Sequence, residues 1–150
     1  MMHIASEAAT EQIVWSDGFA TGIPQVDAQH RFLLELLDQV RRLVVNQRYQ
    51  DQQQHLTVIL DQLNEYASYH FLAEETLMRQ HLPTHSGTAT HIQAHRCYWT
   101  TISSYQRQLR YGDPNLGDDL YAFLRQWWLG HILTTDQEMG IALRALGITS

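Results

Sequence analysis

The amino-acid sequence predicts an all-α protein, an up-down-up-down four-helix bundle with an N-terminal non-helical arm. Apolar residues recur at intervals of three and four over four long stretches, as on helices that each bury one face. Breaks that contain glycine, proline or small polar residues separate these stretches. No run alternates between apolar and polar residues with the period of a strand. The 150 residues fit one domain, 1–150, with one core.

The four predicted helices cover about residues 24–46, 51–80, 88–111 and 116–146. Pro24 suits the first turn of the first helix, where no amide donor is needed, and Asp51 suits the N-cap of the second. Leu82-Pro83 ends the second helix, and Gly112-Asp113-Pro114 ends the third. Short breaks of this kind favour antiparallel neighbours in a bundle.

Residues 1–22 form the predicted arm, because they lack helical periodicity. The arm carries Trp15 and Phe19 among small and polar residues. We expect an ordered arm that packs these aromatic side chains on the bundle; the alternative is a disordered tail.

Composition and charge argue against several classes of protein. A formal net charge of -6 without any basic run argues against binding to nucleic acid. The single cysteine, Cys97, rules out an intramolecular disulfide and favours a reducing compartment; it is expected to be a small packing residue. No signal-peptide pattern and no apolar run of the ~20 residues needed to cross a membrane is present. We therefore expect a soluble cytoplasmic protein.

Seven residues with metal-ligand side chains fall on the inward stripes of the predicted helices: His30, His70, Glu74, His91, His95, His131 and Asp136. A single histidine on an apolar face is usually a packed, hydrogen-bonded residue. Here five imidazoles and two carboxylates would share one core from which Lys and Arg are absent, and such buried groups need partners. A bound cation would satisfy all of them at once.

The donor set indicates the kind of metal. Nitrogen and oxygen donors without a thiolate suit iron, manganese or zinc. Seven side chains are too many for one ion, whereas two ions bridged by both carboxylates account for all of them. With a bridging oxide or hydroxide, two octahedral ions would keep one open position, on the ion that has fewer histidines. Such a position suits a small neutral ligand such as dioxygen.

The helical spacing explains most of these ligands but not all. Residues four apart rise by ~6 Å on one face, so His91 and His95 can reach one ion, as can His70 and Glu74. Asp136 follows His131 by five residues, which turns it by ~140° around an ideal helix. The spacing therefore leaves open how Asp136 reaches the ions.

These residues stand in motifs that resemble those of the hemerythrins, and of the bacterial hemerythrins in particular. The resemblance extends from Trp15 to about Leu146. The motifs, in chain order, are Trp15 with Phe19, Thr21-Gly22-Ile23, Asp27-Ala28-Gln29-His30, His70-Phe71-Leu72-Ala73-Glu74-Glu75, His91-Ile92-Gln93-Ala94-His95, and Trp127 with His131-Ile132 and Asp136. Glu75 is interpreted as a surface acid or as a hydrogen-bond partner of a ligand imidazole.

The resemblance implies a non-haem centre of two iron ions, with an oxo or hydroxo bridge, that binds dioxygen reversibly at an open site on one iron. By position it assigns three ligands to one iron, two to the iron with the open site, and two to both as bridges: His91, His95 and His131; His30 and His70; Glu74 and Asp136.

Trp128 departs from the family pattern, in which an aliphatic residue commonly stands three before the last-helix histidine and lines the oxygen pocket. A large indole at this pocket wall could narrow it or redirect access to it. The departure bears on how long dioxygen stays bound.

The function that the resemblance implies is a dioxygen carrier, store or scavenger. It is not an enzyme, since no residue need act as an acid or a base. The alternative is a sensor of oxygen, redox state, nitric oxide or iron that acts through an unidentified protein partner. An oxidase or peroxidase-like activity of the same centre is a third hypothesis.

Overall fold

Four long helical segments make up the protein, as seen in a computed structural model that describes residues 11–46, 52–112 and 116–149. The helices are α1 (Pro24–Asn46), α2 (Gln52–His81), α3 (Ser86–Arg110) and α4 (Leu116–Gly130). A π-helical turn, His131–Thr135, continues α4 into α5 (Asp136–Ala145). Both α1 and α3 pack against α2 and against α4. This arrangement confirms the predicted four-helix bundle.

The observed helix bounds are close to the predicted ones, but the last predicted helix is not a continuous α-helix. The helix predicted at 88–111 begins two residues earlier, at Ser86. The stretch predicted as one helix over 116–146 is interrupted by the π-helical turn. The predicted N-cap Asp51 and the turn residues Asp113 and Pro114 lie outside the described residues. No helix in the described ranges is long and apolar enough to cross a membrane.

The buried apolar side chains form a larger and a smaller cluster. On α1, His30 lies between Val26 of the smaller cluster and Leu33 of the larger one. Asp136 lies in the same way between Met139 and Ile132. His30 and Asp136 are therefore held between two apolar layers that exclude water.

The N-terminal arm, as far as it is described, is fixed to the bundle. Trp15 and Phe19 pack against the larger apolar cluster, as expected, and Gln137 donates from Nε2 to the carbonyl oxygen of Phe19 over 3.1 Å. Residues 1–10 lie outside the described residues. The arm meets α5 so closely that a Cβ atom on Gly140 would stand 2.6 Å from the carbonyl oxygen of Thr21. Glycine is therefore required at this crossing.

The junction between the arm and α1 is held by one carboxylate. Asp27 Oδ1 accepts hydrogen bonds from the backbone N–H and the hydroxyl of Thr21, each over 2.8 Å, and Oδ2 accepts from the N–H of Gly22 over 3.3 Å. Gly22 has a φ of 83°, which favours glycine. These bonds fix the direction in which α1 begins, and with it the position of His30.

Candidate metal centre

The structure brings all seven predicted ligands together inside the bundle. Four of them are fully buried, and the most exposed of the seven, His131, has only 5% of its surface accessible. Their ligand atoms form two overlapping groups, each with all atoms within 4.8 Å of one another: Glu74, His91, His95 and His131; His30, His70, Glu74 and Asp136. Glu74 belongs to both groups.

Glu74 faces imidazoles of both groups. Its Oε1 atom lies 3.2 Å from Nε2 of His95 and 3.4 Å from Nε2 of His70. Its Oε2 atom lies 3.8 Å from Nε2 of His30. Glu74 is therefore in position to bridge two cations.

Asp136 faces both groups as well. Its Oδ1 atom lies 3.0 Å from Nε2 of His91 and 3.1 Å from Nε2 of His131. Its Oδ2 atom lies 2.8 Å from Nε2 of His30. The two oxygens of one carboxylate thus point to opposite ends of the cluster, which is the arrangement that a bridging ligand requires.

The π-helical turn explains how Asp136 reaches this position. The backbone N–H of Asp136 donates to the carbonyl oxygen of His131, a bond that spans five residues instead of the four of an α-helix. The wider turn brings Asp136 back over His131, although ideal α-helical geometry would turn it away by ~140°. Single π-helical turns inside α-helices occur frequently at functional sites.

Two of the imidazoles are oriented by hydrogen bonds from behind. Nδ1 of His70 lies 2.6 Å from Oε1 of Gln29, and Nδ1 of His95 lies 2.9 Å from Oε2 of Glu75. With Nδ1–H donating to these oxygens, Nε2 of each ring presents its lone pair to the cluster. Sequence reasoning left the role of Glu75 open and missed Gln29. The available signal for Gln29 was its place directly before His30.

The buried nitrogen and oxygen atoms of the seven ligand side chains show whether a metal ion fits between them. Both carboxylate oxygens of Glu74 and of Asp136, together with Nε2 of His91, are buried and make no hydrogen bond of acceptable geometry among the described residues, although they lie close to one another and to the other imidazoles. Such atoms are costly unless a partner compensates for their lost hydration. The donors are nitrogen and oxygen, which iron, manganese and zinc accept. The residues present therefore fit bound metal ions.

The charges of the ligand side chains also favour bound cations. Burial lowers the pKa of His30 and of His91, but the nearby carboxylates of Asp136 and Glu74 outweigh it and raise these values to about 9 and about 10. Burial prevails at His70, where it lowers the pKa to about 4. Burial would raise the pKa of both carboxyl groups, yet the surrounding imidazoles hold it well below the ordinary value. Two buried negative charges thus attract cations.

Aromatic rings enclose the seven ligand side chains on the side that faces the larger apolar cluster. Phe71 stacks on His95 at 3.9 Å between ring centroids, and Trp127 stacks on His131 at 4.4 Å. Trp128, only 1% exposed, stacks on Phe71 at 5.4 Å and lies 6.2 Å from the ring of His70. The rings hold the imidazoles in place and keep water from them.

The other histidines in the described part of the chain, and the cysteine, lie outside the ligand cluster. His55 and His85 are exposed, and His81 is half-buried. His85 instead caps α3, where its Nδ1 accepts from the N–H of Gly87 over 3.0 Å. Cys97 is exposed, so the expectation that it is a packing residue was wrong. Its position on α3 turns it outward, whereas His95 faces the core.

Five imidazoles and two carboxylates, buried together and supplied by four helical segments, define a cation-binding helical-bundle protein. The chain belongs to the hemerythrin HHE cation binding domain family, whose model matches residues 21–142. This match confirms the resemblance that the sequence motifs indicated. Family and cluster together support a di-iron, oxygen-binding domain.

Individual relatives agree with the family assignment. The bacteriohemerythrin of Clostridium acetobutylicum is 29% identical over 126 residues, which are 83% of this chain and 96% of that protein. The bacteriohemerythrin of Pseudomonas aeruginosa is 27% identical over 83% of this chain and 76% of that protein. A solved crystal structure of a leucine-to-phenylalanine mutant shares the fold, with a TM-score of 0.76 at 23% identity, and covers 87% of this chain and 96% of the other.

Proposed function

We propose that this protein is a non-haem di-iron protein that binds dioxygen reversibly and acts as a carrier, store or scavenger. The observation that carries the proposal is the pair of overlapping ligand groups with two carboxylates facing both. One cation could not use all seven side chains, whereas two cations could. Iron bound there would supply the reversible donation of electrons to dioxygen.

The two ends of the cluster differ in the number of imidazoles, and this difference supports an open position at one of them. His91, His95 and His131 would hold one ion, and His30 with His70 would hold the other. We therefore propose the end with two imidazoles as the place where dioxygen binds.

The side chains around this end serve binding rather than catalysis. His30 and His70 are fully buried, and the ring of Trp128 lies 6.2 Å from that of His70. An apolar, dry surrounding favours a small neutral ligand over water. Reversible binding needs no side chain that acts as an acid or a base, so we propose no enzymatic reaction. The single cysteine, Cys97, supports a cytoplasmic, reducing location.

Reversible oxygenation tests the proposal directly. The protein is loaded with iron(II) without oxygen, its iron is measured, and its absorption is followed as air is admitted and removed. We expect about two irons per chain, one for each ligand group, and a charge-transfer band that appears in air and vanishes on deoxygenation. A chain without iron, or without such a band, would contradict the proposal.

The same measurement separates carriage from the alternative functions. A band that survives many cycles supports a carrier or store. Irreversible bleaching within seconds would favour a sensor of oxygen, redox state, nitric oxide or iron that acts through a protein partner, or an oxidase-like activity.

A further inference from the structure

Two imidazoles at opposite ends of the cluster are held from behind by side chains of the same length but different charge. His95 faces the carboxylate of Glu75 over 2.9 Å, and His70 faces the amide oxygen of Gln29 over 2.6 Å. Both contacts use Nδ1, and both partners extend from a neighbouring helix, Glu75 from α2 and Gln29 from α1. The two ends therefore differ in the charge of the acceptor rather than in its reach.

The charge of the acceptor changes the imidazole that donates to it. A carboxylate draws the Nδ1 proton more strongly than a neutral amide does, because the hydrogen bond is charge-assisted. The ring that donates to a carboxylate gains electron density at Nε2 and becomes the stronger metal ligand. Among the described residues, the carboxylate that faces the Nδ1 atom of a ligand imidazole is that of Glu75 behind His95. This effect therefore favours the group of His91, His95 and His131.

The surroundings of the two acceptors are consistent with this difference. The two oxygens of Glu75 have different partners. Oε2 faces His95, and Oε1 accepts from Arg79 over 3.2 Å. Its side chain is 19% exposed, so water and Arg79 stabilise the charge without displacing it from His95. Gln29 is buried, and its Nε2 atom has no hydrogen-bond partner among the described residues. A neutral amide at this buried position avoids the cost of a third buried carboxylate beside Glu74 and Asp136.

We infer that Glu75 is a positioning residue that makes the group of His91, His95 and His131 the tighter of two metal positions. Neutral Gln29 leaves the group of His30 and His70 the more easily emptied. The inference rests on the proposed function in one respect, namely that two ions occupy the cluster. It predicts ordered loading, in which the three-histidine position fills first.

Zinc binding to the metal-free full chain tests the inference without oxygen chemistry. Stepwise zinc titration against a competing chelator yields an affinity for each step. Glu75→Gln keeps an acceptor oxygen and removes the charge, so we expect the affinity of the first step to fall by about tenfold to a hundredfold. The second step should change much less. Gln29→Glu is the reciprocal variant, and it should strengthen the second step relative to the wild type.

Two controls isolate the hydrogen bond from other effects. Glu65→Gln makes the same change of charge on the exposed face of α2 and should leave both steps unchanged. In nuclear magnetic resonance spectra of the zinc form, the Nδ1 proton of His95 should move upfield in Glu75→Gln, while that of His70 stays in place. A purely structural role of Glu75 would not move this signal selectively.

The outcomes are distinguishable. A wild-type chain that fails to bind two zinc ions would count against the proposed function. If the wild type binds two ions, but Glu75→Gln weakens both steps equally or no more than Glu65→Gln does, the inference is overturned.

Discussion

The backbone N–H of Asp136 donates to the carbonyl oxygen of His131, and the side chains of the same two residues meet within the cluster, with Oδ1 3.1 Å from Nε2. One π-helical turn thus places an imidazole and a carboxylate side by side at a spacing that an α-helix would separate. Inside the turn, the hydroxyl of Thr134 donates to the carbonyl oxygen of Gly130 over 2.7 Å. The local backbone therefore departs from regular geometry where the site needs a carboxylate that faces both ends.

Substitutions at His70 and Asp136 should have different effects on iron content. His70 belongs to one ligand group, so His70→Ala should reduce the iron content from about two ions per chain towards one. Asp136 faces both groups, so Asp136→Ala should weaken both positions. Elemental analysis after equilibration with a chelator measures the difference. Equal loss of both irons in His70→Ala would contradict the division into a three-histidine and a two-histidine position.

Trp128→Leu should shorten the lifetime of the oxygenated protein. The smaller side chain leaves space beside His70 and Phe71, which lets water approach the cluster, and it should also lower the free energy of unfolding by about 1–3 kcal/mol. The decay of the charge-transfer band in air measures the lifetime.

The matched control is Trp99→Leu, because Trp99 contacts Phe71 and Tyr98 and so also loses a ring contact in this part of the core. It should change the stability without changing the decay. An unchanged decay in Trp128→Leu would show that the indole does not protect the site.

Two glycines on the last helical stretch should respond to alanine in opposite ways. A Cβ atom on Gly130 would meet nothing within 4 Å, and its backbone is helical, so Gly130→Ala should stabilise the protein by about 0.4–1 kcal/mol. A Cβ atom on Gly140 would stand 2.6 Å from the carbonyl oxygen of Thr21, so Gly140→Ala should destabilise it by about 1–3 kcal/mol. Urea denaturation measures both. A destabilised Gly130→Ala would mean that the π-helical turn constrains this residue.

Asp27→Ala should loosen the junction between the arm and α1. The substitution leaves the N–H groups of Thr21 and Gly22 and the hydroxyl of Thr21 without their acceptor, at a cost of about 1–2 kcal/mol. Thermal unfolding measures this cost, with Asp17→Ala, an exposed acid of the arm, as the control. Equal stability of the two variants would show that the junction does not depend on Asp27.

The sequence by itself determined the four helices and the set of seven candidate ligands. Helical periodicity is a local property, and a histidine on an apolar stripe must face the core wherever the neighbouring helices lie. His70 with Glu74 and His91 with His95 follow from spacing alone, because residues four apart share one face of a helix.

Only the tertiary structure decided the position of Asp136 and the partners of the imidazoles. The π-helical turn is invisible in the spacing, since nothing in the run from His131 to Thr135 distinguishes it from an α-helix. Gln29 meets His70 and Glu75 meets His95 across different helices, and these contacts depend on how far each helix is rotated about its axis and how closely it approaches its neighbour. Periodicity fixes which face is buried, whereas packing fixes which atoms on that face touch.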